Sequence, residues 1–340
     1  MSDSLTERVF EPGARFLNVR YPFLCGAMTW ISDPGLVAAV SNAGGFGCLA
    51  GGNTPPDILV RQIEETRRRT DRPFAVNLIT IAPAYREQLE RVAALELPYV
   101  VFAGSFPKEP EIQRVKRGGT RVLCFASTLS IARRMLRYGA DALILEGMEA
   151  GGHVGHVSLT VLLQQVLFEI SEVPVFVAGG VATGRMCAHL FLMGAAGVQM
   201  GTLFAVSRES TAHPAFKKRF VAANARDAVS TPQFDSRLPV VAVRALRNRG
   251  ISDFSRLQLE LIQKLDRGEI QRADAQEQVE EYWMGALRRA VEDGDLDRGS
   301  LMAGQSVGLV RDIRSIREII DGLVADTGKE LERVRSRFYS

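Results

Sequence analysis

Long apolar runs are absent from this chain of 340 residues. No stretch reaches the roughly 18 residues that a membrane helix needs, so a spanning segment is excluded. Cysteine is scarce: Cys25, Cys48, Cys124 and Cys187 lie far apart, with no CxxC spacing. That argues against redox and zinc motifs and leaves buried free thiols in a reducing compartment as the expectation. Aromatic residues make up 7% and are not interleaved with the two basic runs, Arg67-Arg68-Arg69 and Lys217-Lys218-Arg219. Those runs read as solvated faces rather than nucleic-acid grooves. The net charge is only +3, and no His/Asp/Glu cluster has metal-ligand spacing. The start of the chain, MSDSLTERVFEPG, lacks the apolar core of a secretory leader, so a cytoplasmic protein is expected.

What is present is alternation. Short apolar runs occur at Pro22–Cys25, Phe46–Leu49, Phe74–Asn77, Tyr99–Phe102, Arg121–Cys124, Ala142–Leu145, Val175–Val177 and Val198–Met200. Amphipathic stretches such as Thr54–Arg69, Tyr85–Leu95 and Leu129–Tyr138 separate them. Strand and helix in turn are the pattern of βα units around a parallel sheet. Eight such units in about 200 residues are the minimum for a closed barrel. A doubly wound open sheet is the competitor, but its G-x-G-x-x-G fingerprint is missing after the first strand. The expected class is therefore α/β, a (β/α)8 TIM barrel.

After the eighth run the pattern changes. Residues 216–299 are rich in Arg, Gln, Glu and Leu, with helical periodicity in Ser255–Leu265 and Ala273–Val291. They read as a helical cap inserted before the last helix of the barrel formed by residues 1–215. Residues 300–340 then return through Met302–Gly308 to a final helix over Ile313–Arg337.

Barrel active sites form where strands end, so the residues after each run carry the chemistry. These are Gly26-Ala27-Met28, Asn77, Ala103-Gly104, the loop Glu146–His153, Ala178-Gly179-Gly180, and Met200-Gly201-Thr202. Glycine at a rim lets backbone approach a ligand and leaves N–H groups to face it. The turns after strands seven and eight are where barrels commonly bind phosphate, and both carry glycine here. The Thr202 hydroxyl adds a donor.

His153 is the candidate acid–base residue: it follows Gly151-Gly152 over the mouth and titrates near neutrality. A solvated loop histidine is the competing reading. His156 reads as solvent-exposed and His189 as packed on an apolar helix. His213 starts a helix or faces the site. Asn77 could hydrogen-bond a polar ring or cap a turn, and Met28 could pack on a flat ligand or fill core.

These motifs carry a resemblance over essentially the whole chain. Gly26–Trp30, Ser41–Gly47, Pro73–Asn77, Glu146–Gly155, Ala178–Gly180, Gln199–Thr202, Val243–Asn248 and Met302–Val310 resemble the nitronate monooxygenase superfamily of FMN barrels. Within it the chain looks most like the FMN-dependent enoyl-acyl carrier protein reductases. The resemblance implies FMN in the barrel mouth, its ring near Gly26–Met28, Asn77 and the segment Met302, Gly304 and Gln305. It implies NAD(P)H as co-substrate and His153 as the active-site histidine. An enoyl thioester, a nitronate or a quinone is then the substrate, and an acyl carrier protein a partner. Arg244, Arg247 and Arg249 could meet an acidic carrier or a pyridine-nucleotide phosphate, or serve only surface solubility. Some monooxygenase relatives have Lys where this chain has Cys124, which favours the reductase branch. A homodimer is allowed by the sequence but not specified by it.

Overall fold

The computed structural model describes residues 4–52, 54–238 and 242–338. Eight parallel strands close into a barrel: β1 (Phe23–Cys25), β2 (Phe46–Ala50), β3 (Phe74–Ile79), β4 (Tyr99–Ala103), β5 (Arg121–Ala126), β6 (Ala142–Glu146), β8 (Val175–Ala178) and β9 (Gly197–Met200). The ring closes where Cys25 of β1 pairs with Met200 of β9. All eight expected runs are strands, and several run one or two residues longer at the C-terminal end. Strands buried on both faces read as continuous apolar runs, which is why the sequence exposed them.

Alternation along each strand sorts the side chains. Leu24, Phe46, Cys48, Ala75, Tyr99, Val101, Leu123, Ala142, Ile144, Phe176 and Ala178 fill the barrel interior. The opposite faces pack outward against helices that include α2 (Pro34–Asn42), α3 (Pro56–Arg69), α4 (Tyr85–Ala94), α5 (Glu109–Lys116), α6 (Leu129–Tyr138) and α8 (Gly184–Leu192). Helix α7 (Leu159–Leu162) continues as a π-helical turn to Leu167. The last helix, α13 (Ile316–Ser336), packs on α8 and α2 and so completes the ring. Counting alternate residues upward brings Asn77, Glu146 and Gln199 to the inner wall near the C-terminal rim.

Helix α1 (Leu5–Leu17), which the polar start of the sequence concealed, closes the opposite end. A Ser4–Glu7 capping box starts it, and the Tyr99 hydroxyl donates to Phe16 O at 2.8 Å. All four cysteines are buried and free.

Residues 216–299 are more than helical. After a short helix α9 (Thr202–Ala205) and α10 (Pro214–Val221) come strands β10 (Ala228–Ser230) and β11 (Val243–Leu246). Helices α11 (Arg249–Asp266) and α12 (Arg272–Arg288) follow. The two strands join β7 (Gly152–His153) in an antiparallel sheet of order β10-β11-β7. Phe216 and Phe220 of α10 are buried in the barrel's own cluster. Leu238, Val243, Phe254, Leu261, Ala275, Val279 and Trp283 form a separate apolar core under the cap helices.

Candidate active site

The loop leaving β6 is built as a scaffold for His153. Gly147 N donates to Ala178 O at 3.0 Å, and Ala150 N returns to Gly147 O. The Glu149 carboxylate accepts from Leu159 N, capping α7, so this acid serves the loop rather than the imidazole. A side chain on Gly151 would collide with Ala303 and Gly304 backbone at 2.5 Å. Glycine is thus required where two backbone segments touch. Gly152 adopts φ +76°, and the chain then enters β7, where His153 pairs with Val243 and Gly152 with Arg244.

Arg244 is only 5% exposed. Its Nε donates to Met148 O and its Nη1 to Ala228 O. The expectation that Arg244 meets an acidic carrier is therefore corrected: its guanidinium ties the β6 loop to the small sheet. Arg247 and Arg249 are exposed.

The His153 side chain keeps 39% of its surface, with Nε2 at 3.9 Å from Glu280 Oε2 on α12. Enclosure by protein lowers the imidazole pKa, and the Glu280 charge opposes that shift. His156 is exposed, as expected. His213 caps α10 by accepting from Ala215 N through Nδ1, which settles its role as a helix start. His189 is not packed: it is half-exposed and meets Glu330 of α13 at 2.8 Å.

Beside this loop lie the glycine turns. Gly179 and Gly180 both have positive φ, +94° and +73°, which other residues rarely adopt. Gly201 follows the neighbouring strand β9. Among the described residues, none of the amides of Gly179, Gly180 and Gly201 donates to a protein acceptor. Unused donors at adjacent strand ends are what an anion needs. Thr202 Oγ1 accepts from Gly304 N at 3.0 Å, and Gln305 N donates to Glu149 O at 2.9 Å. The return segment Met302–Gln305 is thereby stitched to both rims.

The inner wall supplies the remaining polar groups. Asn77 is buried, and its Nδ2 donates to Val101 O at 3.3 Å. Gln199 lies against Gly26. Burial pushes the Glu146 carboxyl up to about 8, and no ion pair or side-chain hydrogen bond offsets this among the described residues. Gly26, Ala27 and Met28 form a turn in which Ser32 Oγ donates to Gly26 O and accepts from Met28 N. Ala178 faces the barrel interior, whereas Met200 packs into the outer shell and offers only its backbone. The structure thus brings His153, Asn77, Glu146 and the glycine-bearing rim segments to one mouth, although Met200 turns its side chain away and His189, His213 and Arg244 serve helix and sheet contacts instead.

Three participants were not read from the sequence. Gln199 was legible from strand alternation. Glu280 was not, because only tertiary packing brings α12 over the mouth. Trp30 has φ +67°, an outlier for a bulky residue, and Arg288 of α12 lies 5.6 Å over its ring. No cluster of metal-binding side chains occurs among the described residues.

A closed parallel barrel with a histidine and free glycine amides at its C-terminal mouth defines a (β/α)8-barrel enzyme. The chain belongs to the nitronate monooxygenase family, whose model it matches over residues 11–88 and 79–326, and it is a flavin-dependent oxidoreductase. Among its relatives is the (3aS,4S,5R,7aS)-5-hydroxy-7a-methyl-1-oxo-octahydro-1H-indene-4-carboxyl-CoA dehydrogenase of Mycobacterium tuberculosis. That protein is 31% identical, with 96% of this chain and 98% of the relative covered. FabK from Thermotoga maritima superposes with a TM-score of 0.86 at 37% identity, covering 96% of this chain and 98% of FabK. A nitroalkane oxidase from Streptomyces ansochromogenes superposes at 0.78 with 26% identity, covering 94% and 99%.

Proposed function

We propose that the chain is an FMN-dependent reductase of 2-enoyl thioesters that draws hydride from NAD(P)H. The observation that carries this reading is His153. Its main chain is zipped into a sheet on the loop that leaves β6, while its imidazole stays partly exposed.

The residues present fit FMN. The amides of Gly179, Gly180 and Gly201 would hold its phosphate, and a Cβ on Gly201 would meet only Met28, at 3.4 Å or more. Packing therefore does not demand glycine at that position, whereas a close ligand does. Asn77, Gln199 and Glu146 line the wall that polar ring edges would face. With its pKa near 8, Glu146 is mostly protonated at neutral pH and can donate a hydrogen bond. When bound, FMN supplies the hydride chemistry that no side chain here can perform. His153 donates toward the thioester carbonyl, where negative charge develops. Arg247 and Arg249 remain the exposed cap arginines for an acidic carrier protein. The thioester class is supported by the coenzyme A thioester in the mycobacterial relative's name.

Oxidation of nitronates by O2 is the second reading, supported by the family match and the Streptomyces oxidase. One experiment separates the two. The purified protein, yellow with FMN, is mixed anaerobically with NADH or NADPH and then with crotonyl-CoA. Rapid bleaching followed by recovery of colour is the expected result. Bleaching by propyl-2-nitronate but by neither pyridine nucleotide would overturn the reductase assignment.

A further inference from the structure

Helix α12 delivers a carboxylate to the barrel mouth. Glu280 Oε2 lies 3.9 Å from His153 Nε2, and no side-chain hydrogen bond engages the ring among the described residues. One packing unit places both partners. Val243 pairs with His153 across the small sheet and is buried in the same apolar cluster as Val279 and Trp283. Those two residues precede Glu280 by one position and follow it by three, so they straddle it within one turn of α12. The contacts that seat the sheet therefore also set the separation of carboxylate and imidazole.

The other charges around His153 are engaged or point elsewhere. On β11, Arg244 donates to the carbonyls of Met148 and Ala228. On the β6 loop, Glu149 accepts from Leu159 N, while Glu146 is enclosed in the barrel wall. On α12, Glu277 and Glu281 are exposed. The segment Met302–Gln305 carries no charge.

We propose that Glu280 is a positioning residue for His153, orienting the imidazole and supplying the counter-charge beside it at the mouth. The inference rests on the reading of His153 as the group that faces substrate. It also makes the cap part of the proton-donating apparatus: displacing α12 would remove the counter-charge along with the cover. The sign follows from the surroundings. Enclosure alone lowers the imidazole pKa, and Glu280 is the group that opposes it. Removing the carboxylate must therefore move the titration down, not up.

The test is NMR titration of the histidine rings in the full-length, flavin-loaded protein. The chain has four histidines, so the His153 resonance is identified by its loss in His153→Ala. In Glu280→Gln the His153 pKa should fall, because the charge that opposes the effect of enclosure is gone. The pH profile of kcat/KM for NADPH-dependent crotonyl-CoA reduction should shift with it. Glu280→Asp should restore part of both, and high salt should shrink the difference between wild type and Glu280→Gln. An unchanged His153 titration in Glu280→Gln overturns the pairing. Full turnover in His153→Ala would instead count against the functional reading, so the two failures are distinguishable.

Discussion

At the scale of single residues, Gly201 and Gly179 show two different uses of glycine. A Cβ on Gly179 would press to 2.8 Å on Gly147 O, and its φ is +94°, so the fold itself excludes a larger residue. Gly201 has no such constraint, since its backbone is in an ordinary region and its Cβ position is open toward Met28. Gly201→Val should fold with little loss of thermal stability yet release flavin, because the added methyls stand where the phosphate would lie. Bound FMN per protein after gel filtration checks this; full occupancy would move the phosphate site elsewhere. His153 was legible because it follows two glycines on the loop after a barrel strand, where such folds place their chemistry. Its partner Glu280 was one acid among many on an amphipathic helix, with nothing local to mark it.

At the scale of elements, the small sheet β10-β11-β7 is where sequence reasoning fell short. Gly152–His153 is too short to read as a strand, and β11 is a single tetrapeptide, Val243–Leu246, with no clear alternation. Such pieces are strands only because they pair with each other. Arg244 shows what the pairing does. Inside the sheet its guanidinium satisfies the carbonyls of Met148 and Ala228 and so locks the β6 loop against the cap. Arg244→Ala leaves those carbonyls without a donor and should cost about 3 kcal/mol, measured by urea denaturation. Because the same loop carries His153, turnover should fall more than flavin content does. A variant as stable as the parent would mean that solvent replaces the guanidinium freely.

For the molecule as a whole, closure depends on a helix that arrives last. Helix α13 fills the gap in the ring between α8 and α2, after the chain has travelled through the cap. Its approach to α8 is close: a Cβ on Gly184 would lie 2.5 Å from Leu323 O. Charge fastens the same seam. Glu330 is 3% exposed and meets Arg185, His189 and Arg333. Hydrogen bonds from Arg333, aided by His189 and by the nearby positive charges, hold its carboxyl at about 2, below the ordinary 4.5, although burial opposes them. A depressed pKa means stability that is present above 4.5 and is lost as pH falls toward 2. The melting temperature should therefore drop across that window, and Glu330→Gln should flatten that drop. An identical acid profile in the variant would show that the seam does not depend on this carboxylate.

Local rules determined much of this protein. Strand runs buried on both faces, amphipathic intervals between them and glycines at the rim are written in period and composition, so the barrel and most of its mouth could be read directly. The tertiary structure alone decided which charges meet. Contacts between Glu280 and His153, between Arg288 and Trp30, and between Glu330 and α8 join residues far apart in the chain. Nothing in a helix's own periodicity states what its polar face will touch once an apolar core has drawn it into place.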